Sequence, residues 1–176
     1  MKKVVWKVFV DHEKEEKFLN EMSDKGWALT SFKFCRYTFE EAPKGEYIYR
    51  LEYLEHPIKD KRSQEYLEFM KETGAEVVAT SLQQWVYFRK KSKDGSFTIY
   101  SDIQSKILHY SRLRTLYLCL AAPNILMGLI LVIQGYSHIS AWISPLNLIA
   151  GLLLISAALP LTKKISHLEK EQKILE

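Results

Sequence analysis

Residues 115–134, TLYLCLAAPNILMGLILVIQ, run for twenty positions without a charge. As a helix rising 1.5 Å per residue, such a stretch covers about 30 Å, the thickness of a bilayer's hydrocarbon core. Residues 142–161, WISPLNLIAGLLLISAALPL, repeat the pattern after a short loop at 135–141, GYSHISA. One such stretch would describe a buried core helix equally well, but two of full bilayer length in tandem point to a transmembrane hairpin. Tyr117, Tyr136 and Trp142 lie near the segment ends, where aromatic belts form at membrane interfaces.

Orientation follows from the flanks. Lys106, Arg112 and Arg114 precede the first segment, Lys163, Lys164, Lys170 and Lys173 follow the second, and the loop has no Lys or Arg. Basic residues near membrane segments are retained in the cytoplasm. The expectation is a multi-pass protein of a bacterial inner membrane with both termini cytoplasmic. The N-terminus, MKKVVWKVFVDHEKEE, is interrupted by charge too soon for a signal peptide.

The two segments share a pattern: Asn124 and Gly128 in the first answer Asn147 and Gly151 in the second. In an antiparallel pair Asn124 falls at the depth of Gly151, and Asn147 at the depth of Gly128. Glycine permits close approach, and each Asn amide is expected to bond across the interface, worth about 1 kcal/mol. An ion or substrate path through these Asn residues is the competing reading, and the lack of charge in either segment favours packing.

Outward from the hairpin, 93–114 reads as a linker and juxtamembrane helix. Ser101 and Asp102 form its start, and Ile103, Ile107, Tyr110 and Leu113 recur at helical spacing. Residues 162–176 read as a basic cytoplasmic C-terminal helix, with Leu161, Ile165, Leu168 and Leu175 in near-heptad register. The two extensions are expected to pair, presenting Lys106, Arg112, Lys163 and Lys164 to lipid headgroups, with Pro160 bending the second.

Residues 1–92 form a separate domain. They carry seventeen Lys and Arg against sixteen Asp and Glu, whereas the remainder carries eight against five. The basic excess therefore lies beside the apolar segments, which argues for a lipid surface and against nucleic acid. KKVVWKVFV and GEYIYRLEYL read as strands, Glu13–Lys25 and Arg62–Thr73 as amphipathic helices, and ALTSFKFCRYTF and EVVATSLQQWVYFRK as the further strands, in the order βαββαβ. The helices repeat one another, with Phe18-Leu19, Met22 and Gly26 matching Tyr66-Leu67, Met70 and Gly74. Two βαβ halves give an α+β, ferredoxin-like sandwich with both helices on one face.

In that fold alternation puts Val4, Trp6, Val8, Tyr49 and Leu51 toward the core. Lys7, Phe9, Arg50 and Glu52 then lie on an open face. Trp6-Lys7-Val8 matches Tyr49-Arg50-Leu51 in the repeat, so Lys7 and Arg50 are expected side by side on central strands. Arg36 and Arg89 join them, with Glu52 as the nearest acid. This face is the candidate binding surface, for an acidic protein segment, a carboxylate ligand or a second copy.

Three stretches, KFLNEMSDKGW (17–27), GEYIYRLEY (45–53) and WVYFRKK (85–91), resemble a bacterial family catalogued as domain of unknown function 2812. The resemblance implies a Gram-positive source and genes near PadR-like regulators, hence a stress or envelope-response setting. It supplies no catalytic or binding residue.

Familiar chemistry leaves no signature. His12, His56, His109, His138 and His167 are scattered without metal-ligand spacing, and Cys35 and Cys119 fall in different halves. Glu13, Glu15 and Glu16 open a helix, where the dipole favours carboxylates. There is no phosphate loop, nucleophile elbow or HExxH. No metal, cofactor or catalytic residue is implied. The expected function is a non-enzymatic, membrane-anchored binding or regulatory module; the alternative is an accessory or oligomeric transport component.

Overall fold

The computed structural model describes residues 1–100, 102–133 and 140–175. Ser101, Tyr136, Ser137 and His138 lie outside the described residues. The chain divides into two units, Met1–Ile99 and Tyr100–Glu176.

The first unit contains β1 (Lys2–Trp6), α1 (His12–Asp24), β2 (Trp27–Lys33), β3 (Arg36–Glu41), β4 (Tyr47–Tyr53), α2 (Lys61–Glu72), β5 (Glu76–Ser81) and β6 (Trp85–Lys91). The order is thus βαββ twice, not βαββαβ. ALTSFKFCRYTF and EVVATSLQQWVYFRK each fold back on themselves as a hairpin. The repeat extends to detail, since both hairpins are irregular at the same place, at Thr30 opposite Phe39 and at Val78 opposite Phe88. Gly26 and Gly74 end the helices in left-handed backbone, φ +84° and +85°, as their spacing predicts.

Each repeat makes its own antiparallel sheet, ordered β1-β3-β2 and β4-β6-β5. The single ferredoxin-like sheet, with β1 and β4 as central neighbours, is replaced by two three-stranded sheets. Register also corrects the alignment of the repeats. Lys3 faces Phe39 as Arg50 faces Phe88, so Lys3, not Lys7, is the counterpart of Arg50. Lys7 N–H donates to Cys35 C=O at 3.0 Å, and its true counterpart Leu54 donates likewise to Gln84 C=O at 2.9 Å.

Helix α1 lies between the sheets. Its Leu19 and Met22 pack with Tyr37 and Phe39 of the first and with Tyr49, Leu51 and Tyr87 of the second. Helix α2 covers the opposite face of the second sheet, with Tyr66, Leu67 and Met70 against Val86 and Phe88. The second sheet is therefore covered on both sides, and Glu52, expected on an open face, is buried. The open face belongs to the first sheet. There Val4 pairs with Thr38 and Trp6 with Arg36, and Val4, Trp6 and Val8, expected in the core, are exposed. The inward side is set by Tyr37 and Phe39 on β3, opposite which stand Val5 and Lys3.

Strand β4 is an edge strand, and edges expose unpaired backbone groups. Helix α1 satisfies them with side chains. Asn20 Oδ1 accepts Tyr49 N–H at 2.8 Å and Asn20 Nδ2 donates to Tyr49 C=O at 3.1 Å, while Leu51 N–H donates to Glu16 at 3.1 Å. Ser23 Oγ accepts Tyr47 N–H at 3.2 Å and donates to Tyr47 C=O at 2.7 Å.

The second unit is an antiparallel pair, α3 (Ile103–Ile133) and α4 (Ser140–Leu175). Asp102 caps α3, accepting Ser105 N–H at 2.8 Å. Both helices are long and apolar enough to cross a membrane. The pairing continues toward the start of α3 and the end of α4, with Lys164 Nζ 5.3 Å from the Tyr110 ring centre. Three prolines lie within these helices, Pro123, Pro145 and Pro160, and each withholds a backbone donor. Each is followed closely by a side chain that donates to a carbonyl four residues back: Asn124 to Leu120, Asn147 to Ile143 and Thr162 to Ala158.

Candidate functional site

In α1 the spacing of Glu15, Leu19 and Met22 puts all three on the buried face. Asp11 caps the helix by accepting Glu13 N–H at 3.0 Å, which fixes where that face begins. Glu15 is thereby carried between the sheets. Its Oε1 accepts two phenols, Tyr37 of the first sheet at 2.6 Å and Tyr87 of the second at 2.7 Å. Phe32 packs against both rings, with centroids 4.7 and 4.9 Å away.

Burial raises the Glu15 carboxyl above the usual carboxylate range, and the two phenol bonds pull it back in part. Both phenols are raised, by burial and by the adjacent carboxylate, so they remain hydrogen-bond donors at physiological pH. Sequence reading placed Glu15 among dipole-stabilising acids; its four- and seven-residue spacing from Leu19 and Met22 is the signal that separates it from Glu13. The next residue, Glu16, is also raised, mainly by burial, with Arg50 opposing.

The expected cationic face is dispersed. Arg50 forms an ion pair with Glu16 at 3.0 Å. Arg89 pairs with Glu76 at 2.9 Å and lies over the Tyr47 ring, 4.4 Å from its centre. Glu52 accepts the Tyr66 hydroxyl at 2.6 Å. Lys7 Nζ sits 4.8 and 4.6 Å from the Phe9 and Phe18 rings. Arg36 is exposed on the first sheet. Arg50 and Arg89 thus have acids of their own within the second repeat and α1, and Lys7 and Arg36 sit apart from them near the hairpin turn of the first.

In the second unit, Gly128 faces Leu148, and Gly151 faces Ile125 and Ala121. The depth matching of the sequence pattern holds approximately. A polar link across the helices comes from another residue: Ser144 Oγ, buried, donates to Gly128 C=O at 3.0 Å. Asn124 and Asn147 bond within their own helices instead, each to the carbonyl four residues back. Among the described residues no group of three His, Cys, Asp or Glu could hold a metal ion.

No curated protein and no solved structure matches the chain. The family described as "Protein of unknown function (DUF2812)" matches residues 11–122, from the cap of α1 through both sheets and into α3. That span is well over half of the sequence, and the chain belongs to the DUF2812 family.

Proposed function

We propose that the protein is a membrane-anchored, non-enzymatic binding or regulatory module. Its α/β domain works at the cytoplasmic face of a bacterial inner membrane, held there by α3 and α4 as a two-helix membrane hairpin. One observation carries the anchor. In their most apolar windows only 11% of α3 residues and 17% of α4 residues are buried, and Leu126, Met127, Leu146, Leu152 and Leu153 point outward. A core helix of a soluble protein would bury such side chains, whereas lipid solvates them. Small residues and a buried hydroxyl at the seam, Gly128, Gly151 and Ser144, are the packing that membrane helices use. A regulatory role fits a domain whose buried polar groups are structural partners of one another rather than an assembled catalytic set.

The anchor is tested by alkaline extraction of membranes together with cysteine labelling in intact cells. The chain should stay with the membrane. A cysteine replacing Ser137 should react with an impermeant reagent, while one at the C-terminus should not. Release by alkali removes the anchor, and inverted labelling reverses its orientation. Crosslinking in native membranes, followed by capture of the chain, then identifies what the domain binds.

A further inference from the structure

The two hairpin turns of the first unit break the usual side-chain rule in the same way. Phe34 and Cys35 join β2 to β3 at φ +45° and +61°, and Leu82 and Gln83 join β5 to β6 at φ +47° and +63°. Gly, Asn and Asp fill left-handed turn positions at low cost; large apolar side chains do not. Nor does packing explain the choice, since Phe34 is 92% exposed and Leu82 81%. A strained, unburied apolar residue stands at the tip of each repeat.

Both tips lie at one end of the domain. Leu29 is bonded to Tyr49 and Arg89, and Phe32, nearer the first tip, packs at a tilt against Tyr87, nearer the second. The hairpins therefore run the same way. The end of β1 arrives there too, through the Lys7–Cys35 backbone bond, and brings Trp6, 71% exposed, and Val8, 73% exposed. The charge beside the first tip is of one sign: residues 4–10 and 31–36 contain Lys7, Lys33 and Arg36 and no carboxylate, whereas Glu55, whose C=O accepts from Gln84, lies beside the second. Leu82 also walls an open hollow of about 470 Å³ that includes Lys59, Thr80 and Ser81, donors suited to a phosphate.

We propose that this end of the domain is a contact surface for an anionic lipid bilayer. Phe34 and Leu82 enter the boundary between headgroups and acyl chains, Trp6 lies in the interface, and Lys33 and Arg36 meet lipid phosphates. Aromatic and aliphatic tips interleaved with Lys and Arg are what an interfacial contact requires. A protein partner would call for a continuous apolar groove or patch, whereas here the apolar groups stand on separate turns. The inference rests on the membrane-anchor reading, which places a bilayer within reach.

The test uses the full chain with Cys35→Ser and Cys119→Ser, and an environment-sensitive fluorophore on a single cysteine at Phe34, Leu82 or Lys44. Lys44, in the β3–β4 connection, marks the opposite end. The protein is reconstituted into phosphatidylcholine vesicles with or without phosphatidylglycerol, and co-flotation reports the anchor separately. The expected result is blue-shifted emission and quenching by brominated lipid at positions 34 and 82 but not at 44. The quenching should strengthen with phosphatidylglycerol and be mostly lost on Lys33→Gln/Arg36→Gln. A chain that floats while labels at 34 and 82 report water, as at 44, overturns the lipid contact and leaves the anchor standing. Labels that ignore lipid yet crosslink to a protein in native membranes assign this end to a protein partner and overturn the proposal. A chain that fails to float removes the anchor, and the proposal with it.

Discussion

Asn20 and Tyr49 exchange two hydrogen bonds, side-chain amide to backbone amide, at 2.8 and 3.1 Å. A helix side chain thus does for the β4 edge what another strand would do. Asn20→Ala leaves the Tyr49 N–H and C=O without their partner and should lower the unfolding free energy by about 1–3 kcal/mol. Asn20→Asp keeps the acceptor but sets a carboxylate oxygen against the Glu16 and Tyr49 carbonyls, and should cost at least as much. Denaturant unfolding followed by tryptophan fluorescence ranks the two; tolerance of both would show that water satisfies this edge.

The raised Glu15 carboxyl gives a signed pH dependence. Proton affinity is higher in the folded state, so the folded chain binds the extra proton between the ordinary carboxylate range and the raised value. Stability from this residue is greatest below the ordinary range and falls as pH rises through the raised value. Glu15→Gln keeps an acceptor for Tyr37 and Tyr87 without the buried charge. It should match or exceed the parent at pH 7, by on the order of 1 kcal/mol, and the difference should shrink on acidification. Parallel thermal melts across pH measure this, and a difference that grows toward acid would contradict it.

Much of this architecture was legible in the sequence. The charge-free lengths of 115–134 and 142–161 led to α3 and α4, and the Phe/Met/Gly spacing led to two matched helices ending at Gly26 and Gly74. The hairpins were not legible, because Phe34-Cys35 and Leu82-Gln83 carry none of the residues that mark left-handed turns. Missing those turns turned two βαββ repeats into one βαββαβ order and shifted the alignment that made Lys7 the twin of Arg50. The cross-helix role of Asn124 and Asn147 failed for another reason: a helical Asn amide can reach the carbonyl four residues back in its own helix, a competing partner that spacing alone does not display.

The tips yield a further prediction. Phe34→Asn and Leu82→Asn replace strained residues with one that tolerates left-handed backbone, and each should raise stability by about 1 kcal/mol. Urea midpoints of the detergent-solubilised chain measure it. A loss of stability at either position would mean that the exposed side chain packs after all.

At the seam of the second unit, a Cβ on Gly128 would come within 2.7 Å of the Leu148 side chain, and one on Gly151 within 2.5 Å of Ile125 and 3.3 Å of the Ala121 carbonyl. Gly128→Leu and Gly151→Leu should each cost about 1–3 kcal/mol through overpacking, whereas Leu129→Ala on the outward face should cost little in detergent. Thermal scans in detergent compare the three. If Gly128→Leu behaved like Leu129→Ala, the helices would not be closely packed at that depth.

One oxygen of Glu15 takes a hydrogen bond from each sheet, and the backbone edge of the second repeat is completed by the helix of the first. Neither βαββ half can therefore close its own hydrogen bonding. The duplicated halves should unfold together as one cooperative unit, with amide exchange in β3 and β6 sharing one global rate. A chain severed between Glu41 and Tyr47 would yield two fragments that each lack part of the other's interior, recoverable only by mixing.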